Sequence, residues 1–307
     1  MNIPRALVAV AALAAVVPGV ARATAIAAER EVPRGNSFGG SCPKCELSGR
    51  RLAGAQFIAA DFTGAALVGS DLREARFMAS NFSNADLSRA DLSDTELMGA
   101  NFTGANMSHI RLRSAQARAV VFINVNLIGG DLSDSELMAA NFTKANLVGA
   151  IFRSAELHGA NMRNVEAQKA NFNDAELNGA VLSGGHFEKA SFHSAGLSGA
   201  VLTGGFFEGA DFKDAELRHT VIAGVDLSHA RNLTQDQVDE ACGDAKTKLP
   251  SGLSLHACGS MLRVIIQQAG QGGWSHFGPL APPAPPSAPS PPTPPTPTRY
   301  LLEPGGR

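Results

Sequence analysis

Residues 91–106 read DLSDTELMGANFTGAN, and residues 131–146 read DLSDSELMAANFTKAN. Thirteen of the sixteen positions agree across a separation of forty residues. A second pair of phrases, VLSGGHFEKASF from Val181 and VLTGGFFEGADF from Val201, recurs after twenty residues. Both separations are multiples of twenty, which indicates a structural unit of that length repeated along the chain.

A shorter period lies inside the longer one. Every fifth residue from Leu47 to Leu227 is apolar, and 34 of these 37 positions hold Leu, Phe or Met. A small residue, usually Ala, stands two positions before nearly every one of them. A period of five fits neither an α-helix nor a flat strand. Because so short a unit cannot bury its own apolar residue, the pattern predicts a stacked solenoid with four units in each coil.

The phenylalanines support four units per coil. Coils joined by ladder hydrogen bonds lie about 4.8 Å apart, so rings in one column should stack with an offset. No proline lies between Lys44 and Leu249, as expected where backbone N–H groups form a ladder. One predicted column contains Phe62, Phe82, Phe102, Phe122 and Phe142, and a second contains Phe152, Phe172, Phe192 and Phe212.

The units ADLSR at Ala85, ANFTG at Ala100 and ANLVG at Ala145 share the motif A(N/D)Lxx. On these units the chain resembles the pentapeptide repeat family over residues 46–230. The resemblance implies an all-β fold, a right-handed quadrilateral parallel β-helix with the small and large residues inside. The uninterrupted register predicts about nine coils of four pentapeptides.

The segments outside the repeat have different compositions. Residues 1–25 carry one early positive charge, an apolar run and small-x-small sites, which predict a signal peptide and bacterial export to the periplasm or beyond. No membrane span is expected after its cleavage. Residues 26–45 form a leader with a CxxC sequence. The segment 231–258 is predicted to be a helical cap, and residues 259–307 a Pro-rich disordered tail.

Thr234 and Gln237 stand at the spacing of a capping box, and Gly243 is placed to end the cap helix. Such a cap would cover the unpaired ladder groups of the last coil, which otherwise invite end-to-end association.

The four cysteines lie in two pairs at opposite ends of the repeat. That separation excludes one metal site or one disulfide that joins the pairs within a monomer. An oxidising compartment favours a Cys242–Cys258 disulfide that ties down the cap. Cys42 and Cys45 fit a small disulfide loop or free thiols better than a redox pair, since no thioredoxin-like βαβ pattern follows them.

The sequence predicts that the protein is not an enzyme and that it binds no cofactor or metal. A filled four-sided rod offers no pocket in which a nucleophile, a base and oxyanion donors could converge. The histidines fall on outward positions of different faces. The repeat contains no Ser/His/Asp cluster, metal-ligand spacing or phosphate-binding loop.

An Asp-x-Glu pattern recurs at one predicted corner of the rod. Glu136, Glu156 and Glu176 are expected to stack about 5 Å apart on successive coils. Like charges at that spacing repel, so the edge is solvated, neutralised by cations, or used to meet a basic partner. We call this set the acidic corner: Asp94, Glu96, Asp134, Glu136, Glu156, Asp174, Glu176, Asp214 and Glu216.

A second outward column beside the glutamates contains Ile58, Met78, Met98, Arg118 and Met138. Methionine adapts to many binding surfaces, and an exposed apolar stripe indicates a face for a protein partner or the seam of a homodimer. Isolated apolar residues on a surface are also ordinary. We call Met78, Met98 and Met138 the methionine stripe.

These observations favour an exported, non-enzymatic scaffold that binds another macromolecule, an unknown protein, through the faces of its rod. The alternative is an acidic DNA mimic that acts on a topoisomerase such as gyrase, which the resemblance implies for some members of the family. Residues 46–230 carry 21 acidic and 15 basic groups, a net charge of −6. The sign fits a mimic, but the density is modest, Arg111, Arg113 and Arg118 interrupt it, and export would separate the protein from gyrase. Nucleic acid itself is not favoured as a partner.

Overall fold

The computed structural model describes residue 40 and residues 42–255, and this part of the chain winds into a four-sided β-helix. Parallel bridges join a residue to the one twenty positions later, as from Asp71 to Asp91. The bridges fall into four columns, one on each face. We number these faces 1 to 4 by the first bridge residue of each column: Glu46, Arg51, Gln56 and Asp61.

Each unit contributes a single bridge residue, so the faces consist of isolated bridges and contain no longer strands among the described residues. The predicted signal peptide 1–25, residues 26–39 and 41 of the leader 26–45, and the tail 259–307 lie outside the described residues.

The corners of the rod are tight turns. The carbonyl of a central apolar residue accepts a hydrogen bond from the N–H three residues later, as from Arg50 to Leu47 at 3.1 Å. The residue in the third position of each turn has a positive φ, at every fifth residue from Lys44 to Gly224. This geometry is that of a type II turn, which favours glycine or asparagine at that position. Many units hold other residues there and carry some backbone strain.

Gly99 and Ala119 occupy the same turn position on successive coils, with φ of +67° and +53°. A Cβ added at Gly99 would meet no atom within 4 Å, so Gly99→Ala tests backbone strain without a steric clash. We expect Gly99→Ala to lower the free energy of unfolding by about 1 kcal/mol and Ala119→Gly to raise it by a similar amount. Urea unfolding of both variants measures the two shifts. Shifts of the same sign would contradict this explanation.

The core confirms the predicted inward positions. Apart from Leu47 and Phe57, which are partly buried, the central residues of the units are buried, and so are most of the small residues two positions before them. Ring centroids in the column from Phe62 to Phe142 lie 4.9–5.4 Å apart, and those from Phe152 to Phe212 lie 5.0–5.2 Å apart. Such offset stacks add to the stabilisation from apolar burial. The interior is therefore filled by side chains along the rod.

The ladder uses the backbone donors at three positions of most units: the bridge residue, the central residue and the positive-φ turn residue, such as Gly104, whose N–H donates to the Ile123 carbonyl at 2.9 Å. Phe102 N–H donates to the Val121 carbonyl at 2.8 Å, and Asn101 N–H donates to the Ser80 carbonyl at 2.9 Å. One bond points to the following coil and the other to the preceding coil. This two-way use of N–H groups explains why the repeat contains no proline.

At the N-terminal end, Cys42 and Cys45 form a disulfide with a Cα–Cα distance of 5.4 Å. This confirms the disulfide loop, one of the two alternatives that the sequence favoured. Cys42 N–H donates to the Asp61 carbonyl at 2.7 Å, and Lys44 N–H donates to the Thr63 carbonyl at 2.8 Å. The regular ladder therefore includes Cys42, ahead of the start at residue 46 that the sequence predicted.

At the C-terminal end, helix α1 spans Gln235–Glu240. The predicted capping box is confirmed, because Thr234 accepts from the Gln237 N–H and the Gln237 side chain accepts from the Thr234 N–H. The predicted end at Gly243 is wrong. Ala241 is the C-cap in an extended conformation, since Cys242 already returns to the ladder and donates to the Thr220 carbonyl at 2.7 Å.

Helix α1 covers the last coil. Gln237 Nε2 donates to the carbonyls of Phe212 and Ala215, each at 2.8 Å. The Ala215 carbonyl is of the type that a further coil would engage, as Glu216 N–H engages the Ala195 carbonyl. Within the helix, the side chain of Val238 is buried. Cys242 and Lys248 then extend the bridge columns of faces 4 and 1. The cap thus satisfies exposed ladder groups at this end of the rod.

The predicted Cys242–Cys258 disulfide includes Cys258, which lies outside the described residues, so it stays a prediction. Within the described part of the chain, no helix has the length and apolar character needed to cross a membrane.

Candidate functional site

The acidic corner lies where face 2 turns into face 3. Its glutamates are bridge residues of face 3, and its aspartates occupy the positive-φ turn positions two residues earlier. Parallel bridges join Glu136 to Glu156 and Glu156 to Glu176, as the sequence predicted for these three side chains. The carboxylates therefore follow one edge of the rod, but Gln116 and Gly196 interrupt the glutamate column on either side of the run from Glu136 to Glu176.

Arginine, lysine or histidine side chains of the same chain lie within 4.0 Å of most of these carboxylates. On face 3, Arg76 lies 2.9 Å from Glu96, and Arg118 lies 2.7 Å from Glu136. At the turn positions the distances are longer, between 3.6 and 4.0 Å. The remaining pairs are Arg113–Asp134, Arg153–Asp174, His158–Glu176, His193–Asp214 and Lys213–Asp214.

Asp94, Glu156 and Glu216 are the exceptions in the acidic corner, because no described cation lies within 4.0 Å of their carboxylates. Glu156 is exposed and lies in the bridge column between two other glutamates. These three groups are the carboxylates that remain available to a basic partner. Sequence reasoning did not distinguish them from the paired ones.

A parallel set of aspartates on face 2 is also paired. Arg73 donates to Asp71 at 2.8 Å, and this hydrogen bond lowers the pKa of that carboxyl. Arg111 donates to Asp91 at 3.0 Å. Burial by itself would raise the pKa of Asp91, but hydrogen bonds from Ser93 and Arg111 lower it. Arginines that lie among the acidic residues in the sequence thus pair with acidic side chains in the structure and neutralise their charge.

The methionine stripe lies on face 3 beside the glutamates. Met98 is 37% exposed, whereas Met78 and Met138 are half-buried. Ile58, in the same column, is 42% exposed. Arg118 separates Met98 from Met138 and pairs with Glu136. From Ile58 to Met138, face 3 therefore presents mostly apolar side chains at this outward position, next to polar or charged bridge residues. From His158 onward the same outward position is polar.

Glu136 and Glu156 offer a matched pair for testing the electrostatics of the corner. At low ionic strength we expect Glu156→Gln to leave the free energy of unfolding unchanged or to raise it by about 0.2–1 kcal/mol, because repulsion between stacked glutamates is relieved. Glu136→Gln should lower it by up to about 1 kcal/mol, because the pair with Arg118 is lost. Urea unfolding measures both.

Both shifts should shrink in about 1 M salt, where the Debye length falls to about 3 Å. Equal losses of stability for the two variants would show that Glu156 takes part in a stabilising contact, contrary to its position.

One exposed aromatic group was not predicted from the sequence. Phe206 is 52% exposed on face 1, and its ring stacks on His186 at 4.5 Å between centroids. His186 also bonds the Glu188 side chain at 3.0 Å, which raises the pKa of the imidazole. The signal in the sequence was an aromatic residue immediately before the inward Phe207, at a position where Asn, Asp or Glu is common.

The functional groups available for interaction lie on the outer surface of the rod. Three histidines have a carboxylate neighbour. The prediction of no Ser/His/Asp cluster needs a correction, because the Ser228 hydroxyl donates to Asp226 at 2.6 Å and lies 3.1 Å from His229 Nδ1. In this exposed group the carboxylate contacts the serine, whereas in a catalytic triad it orients the histidine. No group of three or more His, Cys, Asp or Glu side chains with metal-binding geometry occurs among the described residues. Flat faces with charged and apolar groups are suited to contacts with another macromolecule.

Comparison with protein families gives one match. The family model described as "Pentapeptide repeats (8 copies)" matches nine overlapping segments that together run from residue 44 to residue 231. A search of curated proteins found no match.

Among solved structures, the chain is similar to HetL, a pentapeptide repeat protein involved in heterocyst differentiation regulation from the cyanobacterium Nostoc sp. The two are 26% identical with a TM-score of 0.58, and the match covers 70% of this chain and 92% of HetL. This likeness supports the same quadrilateral β-helix.

Two other solved structures were also matched. A pentapeptide repeat protein from the Arabidopsis thaliana thylakoid lumen is 33% identical with a TM-score of 0.24, over 32% of this chain and 65% of its own. QnrB1, a plasmid-mediated fluoroquinolone resistance protein, is 20% identical with a TM-score of 0.36, over 76% of this chain and 96% of its own.

Proposed function

This chain belongs to the pentapeptide repeat family, and from that premise we propose that it is a non-enzymatic, exported scaffold that binds another protein through face 3. The observation that carries the proposal is the filled interior. Central residues such as Phe102 and Leu137 have no exposed surface, so side chains on the outside are the ones that can meet a ligand.

The proposed scaffold is a right-handed rod of about nine coils. At about 4.8 Å for each coil its length is roughly 43 Å. Because consecutive coils are joined by a continuous ladder, the outward groups keep fixed spacings along that length. A partner would meet a rigid, pre-organised face, which lowers the entropic cost of binding.

Face 3 is the proposed contact because it combines two kinds of group. The methionine stripe can pack against apolar side chains of a partner, and Met98 is its most exposed member. Glu156 can receive a basic side chain, since no described cation lies near it. The partner would therefore carry an apolar patch beside a Lys or Arg.

Site-specific photocrosslinking tests this assignment. A photoreactive residue at Met98 should give one discrete adduct in cells of the source organism, and untagged protein should compete for it. The matched control is Ser108, at the same position of its unit but on the opposite face, since ten residues advance the chain by two faces. Equal labelling from both positions would count against face 3.

Export is tested separately. The full-length chain, expressed in a Gram-negative host, should appear in the periplasm without about its first 23 or 25 residues, the predicted cleavage sites. Its mass should also be lower than that of the reduced chain by four hydrogen atoms, two for each disulfide. A full-length reduced product in the cytosol would contradict the export part of the proposal.

The DNA-mimic alternative needs an edge of uncompensated negative charge. The pairs formed by Arg76, Arg113 and Arg118 leave few free carboxylates in the acidic corner, and this weighs against the alternative. A gyrase supercoiling assay distinguishes the two hypotheses. Inhibition that is lost on Glu156→Gln and Glu216→Gln would favour the mimic over the scaffold.

A further inference from the structure

Phe206 presents an aromatic ring to solvent on face 1, at a bridge position where most coils hold a polar or charged residue. The side chain is 52% exposed. The ring of His186, one coil earlier in the column, covers one flat side of it at 4.5 Å between centroids and an interplanar angle of 9°. His186 is held in turn by the Glu188 carboxylate at 3.0 Å. The aromatic ring is therefore supported on one flat side only.

The other flat side of the ring faces the next coil, where the column continues with Asp226. The Asp226 carboxylate accepts hydrogen bonds from Ser228 at 2.6 Å and from Lys248 at 2.8 Å. These bonds direct the carboxylate along its own coil and toward the C-terminal end of the rod. Aspartate is also too short to cover a phenyl ring, so this side of Phe206 is open to a ligand.

The corner beside the ring consists of backbone. Gly184, Gly204 and Gly224 occupy successive turn positions where face 4 turns into face 1. Among the described atoms, a Cβ added at Gly204 would meet the Gly184 nitrogen at 3.9 Å, and one added at Gly224 would meet none within 4 Å. A flat ligand that lies on Phe206 therefore has room to extend over this corner.

Hydrogen-bonding groups surround the ring. Glu208 is exposed in the same unit as Phe206, and no described cation lies within 4.0 Å of its carboxylate. Lys189 is exposed on the preceding coil. Across the glycine corner, the hydroxyls of Ser183 and Thr203 lie 3.1 Å apart. Donors and acceptors are thus available on both sides of the ring.

No single sign of charge dominates this part of face 1. The groups around the ring are Glu188, Glu208, Asp226, His186, Lys189, His229 and Lys248. A strongly charged ligand is attracted by a surface of one sign, which is not present here. The polar neighbours also differ from the apolar surroundings of an aromatic residue at the centre of a protein interface. The ring therefore suits a neutral ligand with one apolar side and a polar edge.

A pyranose sugar with equatorial substituents has this character, because C–H bonds line a flat side of the ring and hydroxyls surround its edge. Packing of that side on an aromatic ring buries apolar surface against the negative π face. We propose that Phe206 and the polar groups around it bind a neutral saccharide, whose ring stacks on the open side of Phe206. Face 1 is opposite face 3, so this site is separate from the proposed protein contact and both can be occupied together.

Saturation-transfer NMR with the full-length protein tests the proposal, with cellotetraose and the tetramer of N-acetylglucosamine as probes. Ring C–H protons of at least one tetramer should receive strong saturation, whereas sorbitol, which has hydroxyls but no ring, should receive none. Phe206→Asn and Phe206→Leu both remove the aromatic ring, and each should raise the dissociation constant at least about fivefold. Phe206→Tyr keeps a ring and should bind within about twofold of the unmodified protein.

Ile151→Asn is the matched control. Ile151 is a 36% exposed apolar residue at a bridge position of face 2, and Asn171 follows it in that column. The change should leave the dissociation constant unaltered. Asparagine also occupies the column of Phe206 at residues 106, 126 and 146, so the rod should tolerate both asparagine variants. Circular dichroism confirms that each variant is folded.

Three results would overturn the proposal. The first is the absence of saturation transfer to both tetramers. The second is an unchanged dissociation constant in Phe206→Asn and Phe206→Leu, which would place the saccharide elsewhere on the rod. The third is a loss of affinity of more than about fivefold in about 1 M NaCl, because screening weakens ionic contacts and a neutral saccharide makes none.

Discussion

Phe102→Asp is expected to leave the protein without a cooperative unfolding transition. Phe102 is fully buried, and its ring stacks between Phe82 at 4.9 Å and Phe122 at 5.4 Å. Loss of a buried Phe side chain costs about 3–5 kcal/mol, and an unpaired buried carboxylate costs several more. The sum reaches the total stability of an ordinary domain, about 5–15 kcal/mol.

Circular dichroism during urea unfolding measures this outcome, and two controls make it specific. Asn101→Asp places the same charge one residue earlier on the outward side of face 4, where Asp61 already stands in the column, and should preserve the transition. Phe102→Leu should also fold, because Leu182 and Leu202 occupy the same inward position. A β-type transition retained by Phe102→Asp would refute the inward assignment.

Val121→Pro is expected to destabilise the rod by about 3 kcal/mol or more. Val121 N–H donates to the Ala100 carbonyl at 3.0 Å, and proline would remove the donor and place its ring against that carbonyl. The site lies in the middle of the repeat, where both neighbouring coils depend on the ladder. The loss should appear as a lower urea midpoint.

Ile123→Pro is the matched control, two residues further along. It occupies the second position of a type II turn, where φ is near −60° and proline is common. Its N–H donates to no group that the structure describes. We expect a change in the free energy of unfolding of no more than about 1 kcal/mol. Similar losses from both prolines would show that the ladder does not explain the absence of proline from the repeat.

The fold could be predicted from the sequence because one rule applies at every unit. An apolar residue at every fifth position leaves little choice about which side chains face inward, and the twenty-residue recurrence adds the number of sides. The column of Phe62 to Phe142 follows from these two periods alone. The capping box at Thr234 was visible for a similar reason, since it depends on a spacing of three residues.

The register also continues ahead of the predicted start at residue 46. Cys42 lies five residues before Leu47 and so extends the inward series, and Cys45 stands at the position of the small residue. Cysteine differs in chemistry from Leu and Ala. A search for a large apolar residue at every fifth position, with Ala two residues earlier, therefore does not include this pair. In the structure both cysteines pack against the core as members of the first coil.

The contacts of the candidate site were harder to predict from the sequence. Contacts between surface side chains depend on how far each side chain extends, and the five-residue period does not specify this. Glu136 and Glu156 are equivalent in the repeat, yet only Glu136 lies within reach of an arginine. That arginine, Arg118, is eighteen residues away in sequence and adjacent in space. The end of helix α1 at Ala241 was also not predicted. Cys242 N–H bonds to the preceding coil, so the chain rejoins the ladder before it reaches Gly243.

The four bridge columns restrict how the length of this protein can change. Loss or gain of one five-residue unit would turn every later residue by a quarter of a revolution and move it to the neighbouring face. The acidic corner and the methionine stripe would each break in two at that point. Loss or gain of a whole coil would leave all faces continuous. The repeated phrases at intervals of twenty and forty residues are what growth by whole-coil duplication would leave behind.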